Sequence, residues 1–199
     1  NITFLASPFD IQSVDILDRI DISAYKVASS ETTNFKLFDY ITKKNRPLII
    51  STGMCDMVDV MEAINSCEAN QNFKIALLQC GAIYPIPAKE LNLNVIKTYK
   101  NFFKVPVGLS DHTLGNVAAI TSIGLGACIF EKHFTLNKLS EGPDHSFALE
   151  PKELKKYISE IMEAYKSLGE YRKEMLQHEK ENGRRLGIYA SQTIEIDEE

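Results

Sequence analysis

Six short apolar runs punctuate the chain, at residues 2–6, 25–28, 47–50, 75–78, 105–109 and 127–130. They are apolar throughout rather than alternating, the pattern of strands covered on both faces. Each stops on small or polar residues: Ser7, Ser29-Ser30-Glu31, Ser51-Thr52-Gly53, Gln79-Cys80-Gly81, Ser110-Asp111-His112-Thr113 and Glu131-Lys132-His133. Between the runs, apolar residues recur at helical spacing, at Ile11, Val14, Leu17 and Ile20, then Leu37, Phe38 and Ile41. The same spacing returns at Val58, Met61 and Ile64, at Leu91, Val95 and Ile96, and at Val117 and Ile120. The longest helical pattern carries Leu154, Tyr157, Ile158, Ile161, Met162, Tyr165 and Leu168, with Pro151 in its first turn and Gly169 at its end. Strand and helix alternate at the spacing of βα units, which predicts an α/β fold with a parallel sheet. Six units are two short of a (β/α)8 barrel. The pattern therefore predicts either an open doubly wound sheet or a TIM barrel lacking its first two units, with strands three to eight present. A chain that starts on Asn1 and enters a strand at once favours the incomplete barrel.

After Gly169 the pattern changes. Residues 170–183 are charged and read as an exposed helical linker, and residues 184–199 read as the start of a second, small domain. Residues 1–169 then form the barrel domain.

Composition narrows the function classes. Net charge is -5, and the lysines are spread among acids, which argues against a nucleic-acid surface. No apolar run is long enough to cross a membrane. Cys55, Cys67, Cys80 and Cys128 form no C-x-x-C pair, so buried, reduced thiols and a cytoplasmic location are expected.

Chemistry gathers at the strand ends, where α/β folds keep their sites. His112 and His133 stand at equivalent places after two successive runs, and two imidazoles on one rim suggest a metal. Two hydrogen-bonded histidines beside a sheet are the alternative. Lys26 lies within an apolar run and needs an anion to justify its burial. With Ser29, Ser51, Ser110 and the backbone of Ser51-Thr52-Gly53 it is a candidate to surround a phosphate; a structural bridge to Glu31 is the other reading. Glu31, Asp111 and Glu131 are candidates for acid–base work or for orienting the histidines. Asp144 is a candidate for sugar hydroxyls or simply turn chemistry. Tyr84 is a candidate pocket wall or simply a packing residue, and His145 and His178 have no evident partners.

Seven blocks taken together resemble the successive signatures of the sialic acid synthase family, which includes N-acetylneuraminate, legionaminate and pseudaminate synthases. They are Ala6-Ser7-Pro8-Phe9-Asp10, Tyr25-Lys26-Val27-Ala28-Ser29-Ser30-Glu31, Ser51-Thr52-Gly53-Met54, Ile83-Tyr84-Pro85, Gly108-Leu109-Ser110-Asp111-His112-Thr113, Glu131-Lys132-His133-Phe134-Thr135 and Gly142-Pro143-Asp144-His145. The resemblance implies a (β/α)8 barrel that condenses phosphoenolpyruvate with an N-acetylamino sugar, such as N-acetylmannosamine or a 2,4-diacetamido-trideoxyhexose. It implies a divalent metal, Mn2+ foremost with Mg2+ or Co2+ as alternatives, held by His112 and His133. Lys26, Ser29, Ser51 and Ser110 would hold the phosphate and carboxylate, with Ser7 nearby. Glu31 would lie close to the reacting carbons, and Asp144 would hold the sugar, with Tyr84 lining its pocket. It further implies a homodimer when full length, and an antifreeze-like domain opening at Arg184.

Two departures matter. Ala82 stands where the family commonly has a Ser or Asn that donates to phosphate, and Ser7 replaces a usual Thr. The family's first two strands would precede Asn1, so the segment by itself is expected to be inactive and poorly folded, with two open sheet edges. Another metal-dependent barrel lyase or aldolase, or an inactive sugar-binding module, is the competing reading.

Overall fold

A computed structural model describes residues 2–181. The chain divides into two units, Asn1–Leu168 and Gly169–Glu199. In the second, a short helix α8 (Gln177–Glu181) lies in the charged stretch read as a linker. The expected domain at residues 184–199 lies outside the described residues.

The first unit runs α1 (Ile11–Arg19), β1 (Tyr25–Val27), α2 (Ser29–Thr32), α3 (Phe35–Thr42), β2 (Leu48–Ser51), α4 (Met57–Ala69) and β3 (Ile75–Cys80). After a 3-10 turn at Ala88–Glu90 come α5 (Asn94–Phe103), β4 (Val107–Asp111), α6 (Val117–Gly124), β5 (Ile129–Lys132) and α7 (Pro151–Ser167). The strands are parallel and in sequential order, β1-β2-β3-β4-β5. Right-handed crossovers in one constant direction leave all helices on one face of the sheet, whereas a doubly wound sheet reverses direction. The order therefore settles the sequence alternatives in favour of barrel-type winding.

The first apolar run, residues 2–6, is not a strand. It contributes one parallel bridge, Ala6 to Tyr25, while Ile2, Phe4 and Leu5 stay exposed, so no packing rewards a longer ladder. Three other strands run two residues further than the apolar pattern suggested: β3 includes Gln79 and Cys80, β4 includes Ser110 and Asp111, and β5 includes Glu131 and Lys132. Ladder hydrogen bonds are indifferent to side-chain polarity, and these polar side chains have somewhere to go.

Alternation explains where. Tyr25, Val27, Leu48, Ile50, Leu77, Val107 and Leu109 face the helices and pack with Val14, Phe38, Ile41, Val60, Ile64, Ile96 and Tyr99 in the main core. The helices bury less of the expected stripe than periodicity implied, since Val58, Met61 and Val117 are exposed and Val60, Ala63, Ala118 and Ala119 do the packing. The intervening strand residues point to the opposite face. Partners in the register place Lys26 beside Ile49, Ser51 beside Leu78, Cys80 beside Ser110 and Ser110 beside Glu131. That face is thus apolar toward the strand starts and polar toward the strand ends. Gly108 is required on it, because a Cβ there would stand 2.1 Å from the Ile129 carbonyl oxygen.

All four cysteines are free, but only Cys67 and Cys80 are buried as expected; Cys55 is half-buried and Cys128, just before the edge strand β5, is exposed.

Candidate functional site

His112 and His133 each follow the last residue of a strand, and the ladder ends on the pair Asp111–Lys132. The alternation that turns Ser110 and Glu131 away from the helices brings the two imidazoles to the same side. Their ring centroids are 5.1 Å apart. Burial, reinforced by the neighbouring His133, lowers the His112 imidazole to about 4 against the opposing pull of Glu131 and Asp111, so it is neutral at ordinary pH. The Cys80 thiol lies 3.8 Å from its Nδ1. Tyr84 packs on His112 at 4.0 Å between centroids, and Phe147 stands 5.1 Å from His133. Asp144 Oδ2 lies 3.5 Å from His133 Nδ1, on a half-exposed loop side chain.

Lys26 is on the same face. Its Nζ is 3.3 Å from Glu131 Oε2, and Ser110 donates to Glu131 Oε1 at 2.6 Å. The structural bridge imagined between Lys26 and Glu31 is not formed: the partner is Glu131. Glu31 is turned to its own helix start, accepting from Asn34 Nδ2 at 2.8 Å and from Ser30 at 3.1 Å. Proximity in sequence misled here, because Glu31 leaves the sheet on α2 while Glu131 stays on it.

The turn after β2 supplies the remaining donors. The Gly53 amide donates to Ser29 Oγ at 2.9 Å, which leaves the Ser29 hydroxyl hydrogen free to donate elsewhere. A Cβ on Gly53 would stand 2.9 Å from that same oxygen. Ser51 Oγ is buried with no hydrogen-bond partner among the described residues. An orphaned buried hydroxyl is uncommon and marks a place where a ligand's oxygen would be welcome. Ser7 is half-buried and follows Ala6, whose carbonyl accepts from the Lys26 amide.

Behind the histidines, on the helix side, lies a group whose assembly the sequence reading missed. Asp111 is fully buried and Lys132 has a side chain 5% exposed, and they are 3.0 Å apart. Asp111 Oδ1 accepts from the Thr113 amide at 2.9 Å and its hydroxyl at 2.7 Å, while Oδ2 accepts from Tyr157 of α7 at 2.9 Å. Lys132 donates to the Thr113 carbonyl at 2.5 Å. Burial and the Asp111 carboxylate push the Tyr157 phenol well above its usual range, so it remains a donor. Asp111 makes no hydrogen bond to either imidazole; its carboxylate is taken up by Thr113, Tyr157 and Lys132. The available signal was the opposite charge of the residues just before the two histidines. His145, which had no evident partner, lies 2.7 Å from Thr135 Oγ1.

Among the described residues no group of three or more His, Cys, Asp or Glu is arranged to hold a metal ion. The donor set that is present, two close imidazoles of which His112 is held neutral, still suits a divalent transition metal through two protein ligands, with other positions left to water or substrate.

A parallel α/β sheet of barrel-type winding, with imidazoles, an ammonium and hydroxyls at its carboxyl edge, defines a class. The particular family follows from direct comparison: the model of the NeuB family matches residues 1–173, and the chain belongs to that family. It is 41% identical over 184 residues to the N,N'-diacetyllegionaminic acid synthase of Campylobacter jejuni, covering 92% of this chain and 55% of that one. It is 34% identical over 198 residues to the N-acetylneuraminate-9-phosphate synthase of Homo sapiens, covering 99% and 55%. Among solved structures, the N-acetylneuraminic acid synthetase of Leptospira borgpetersenii in complex with citrate superposes with a TM-score of 0.85 at 31% identity, covering 92% of this chain and 64% of that one. The chain spans about half the length of the curated relatives it matches.

Proposed function

We propose that the protein condenses phosphoenolpyruvate with an N-acetylamino sugar to give a nonulosonic acid and phosphate. The observation that carries this reading is the convergence, on one face, of the paired imidazoles, Lys26 and the unpartnered Ser51 hydroxyl. Lys26, Ser29, Ser51 and Ser110 supply one cation and three hydroxyls for the phosphate and carboxylate. Lys26 and Ser110 are satisfied by the Glu131 carboxylate, so an incoming anion takes over contacts that Glu131 makes. Asp144 and Tyr84 border the histidine pair and would face the sugar, with Ser7 near Lys26 as a further hydroxyl.

In the reaction, C3 of the enol attacks the sugar's aldehyde carbon and forms the new carbon–carbon bond. Water adds to C2, and phosphate leaves from C2 with its bridging oxygen. The protein's task is to hold two polar partners in contact and to offset developing charge. His112 and His133 would hold a divalent cation, Mn2+ in the first instance, which when bound supplies Lewis-acid polarisation of the aldehyde oxygen. Glu31 serves as the acid–base group only after exchanging Asn34 for substrate. The setting is a cytoplasmic homodimer of the full-length chain.

The test is phosphate release by the full-length protein from phosphoenolpyruvate, with N-acetylmannosamine or a 2,4-diacetamido sugar as acceptor. Release should require both substrates and fall at least 100-fold in His112→Ala and His133→Ala, by analogy with loss of a principal charge-stabilising group. Turnover of a sugar substrate without phosphoenolpyruvate would point to an aldolase instead. Sugar binding with no release would point to an inactive module.

A further inference from the structure

The two histidines stand one residue beyond the last ladder pair, Asp111–Lys132. No strand pairing sets the distance between their rings, yet the chemistry proposed for them depends on that distance. Something else must fix it.

We infer that Asp111, Lys132 and Tyr157 form a buried clamp that positions His112 against His133. The clamp grips the chain on both sides of His112. Before it, Asp111 is the saturated centre of the group, and after it, Thr113 has its amide bound by Asp111 and its carbonyl bound by Lys132. On the neighbouring strand Lys132 is the residue just before His133, so one ammonium ties the flank of one histidine to the flank of the other. Tyr157 anchors the pair to α7 through its hydroxyl and packs under Lys132, whose Nζ lies 5.5 Å from the ring centroid. Backbone bonds complete the frame: the His112 carbonyl accepts from Ile86 and the His133 carbonyl from Leu149.

A buried ion pair is a poor way to stabilise a fold, since apolar residues of similar size often do as well or better. What such a pair does supply is a unique register. Hydrogen bonds have direction, and Asp111 accepts three of them besides its ion pair with Lys132, with little freedom left to slide. Residues that hold metal ligands in place typically change metal affinity by about 10- to 100-fold when replaced. Asp111, Lys132 and Tyr157 are therefore positioning residues, acting through the backbone of the histidines without touching a substrate.

The inference rests on the proposed use of the histidines, but its test separates the two. The full-length protein is prepared metal-free with labelled histidine, as wild type, as the double variant Asp111→Leu/Lys132→Met, and as Tyr157→Phe. Thermal midpoint, the NOE between the two imidazole rings, and Mn2+ affinity from the EPR signal of the free ion are recorded for each. The double variant is expected to melt at or above the wild-type temperature, to lose the ring-to-ring NOE and to bind Mn2+ about 10- to 100-fold more weakly. Tyr157→Phe, which keeps the ring and removes one donor to the buried Asp111 carboxylate, is expected to melt below the wild type and to weaken the NOE and Mn2+ binding in milder form, and it covers the case in which the double variant fails to fold. Folded variants that keep both the NOE and the Mn2+ affinity would overturn the clamp. A wild type that shows the NOE but binds no Mn2+ would sink the metal reading of the histidines, while loss of the NOE in the variants would still support the clamp.

Discussion

Ser51 separates what serves a ligand from what serves the fold. Its hydroxyl oxygen is enclosed at the end of β2 in a residue 2% exposed, with no partner among the described residues. A buried hydroxyl left unpaired costs about 1–3 kcal/mol relative to one that is satisfied or absent. Replacing it with alanine removes one oxygen, too small a change to leave a damaging void. Ser51→Ala in the ligand-free, full-length protein should therefore gain about 1 kcal/mol, a rise of roughly 2–4 °C in thermal midpoint for a domain of this size. The same change removes a donor to phosphate or carboxylate. A hydrogen bond to a charged group is worth about 1.5–3 kcal/mol, so phosphoenolpyruvate should bind roughly 10- to 150-fold more weakly. Scanning calorimetry without ligand, and titration calorimetry with phosphoenolpyruvate, read the two effects separately. A lowered midpoint together with unchanged affinity would refute the reasoning, because it would mean that the hydroxyl is satisfied within the fold and idle toward the ligand.

Two further outcomes test the frame on which the site is built. Gly108→Ala drives a methyl group to 2.1 Å from the Ile129 carbonyl oxygen and 2.7 Å from Leu78 Cδ2, and a backbone oxygen on a paired strand cannot turn aside. It should destabilise by about 3 kcal/mol or more, seen as a lower urea midpoint with unchanged slope; an unchanged midpoint would mean β4 and β5 are not so closely apposed. At the other end of the strands, Lys44 and Arg46 hold the Asp15 and Asp18 carboxyls below their usual value of 3.8. A depressed folded value means the stabilisation is complete above about pH 4 and is lost as pH falls through the lowered values. Thermal midpoints measured down to pH 2 should therefore fall less steeply in Asp18→Asn than in the wild type; parallel profiles would contradict the linkage.

The alternation of apolar runs with helical patterns was enough to predict a parallel α/β sheet, because burial on both faces leaves a mark that needs no tertiary knowledge. It was also enough to bring Lys26, His112 and His133 forward, since charged or ligating groups at strand ends stand out against an apolar background. The same reasoning misplaced residues 2–6, because a run becomes a strand only when neighbours reward it, and here only Ala6 finds one. It also ended β3, β4 and β5 too early, by taking polarity as a stop signal where the ladder continues.

Which carboxylate meets Lys26 was beyond the reach of a linear reading. Glu31 is five residues away and Glu131 more than a hundred, yet the sequential winding of the sheet brings β1 and β5 to one concavity and sends Glu31 off along a helix. Asp111 and Lys132 illustrate the same point: each reads as an ordinary charged residue beside a histidine until parallel register sets them opposite one another and a third helix lays Tyr157 over them. Local chemistry determined which kinds of groups this chain brings to a strand edge. Only long-range pairing, which depends on the direction of the winding and on the two-residue alternation of side chains, decided which of them touch.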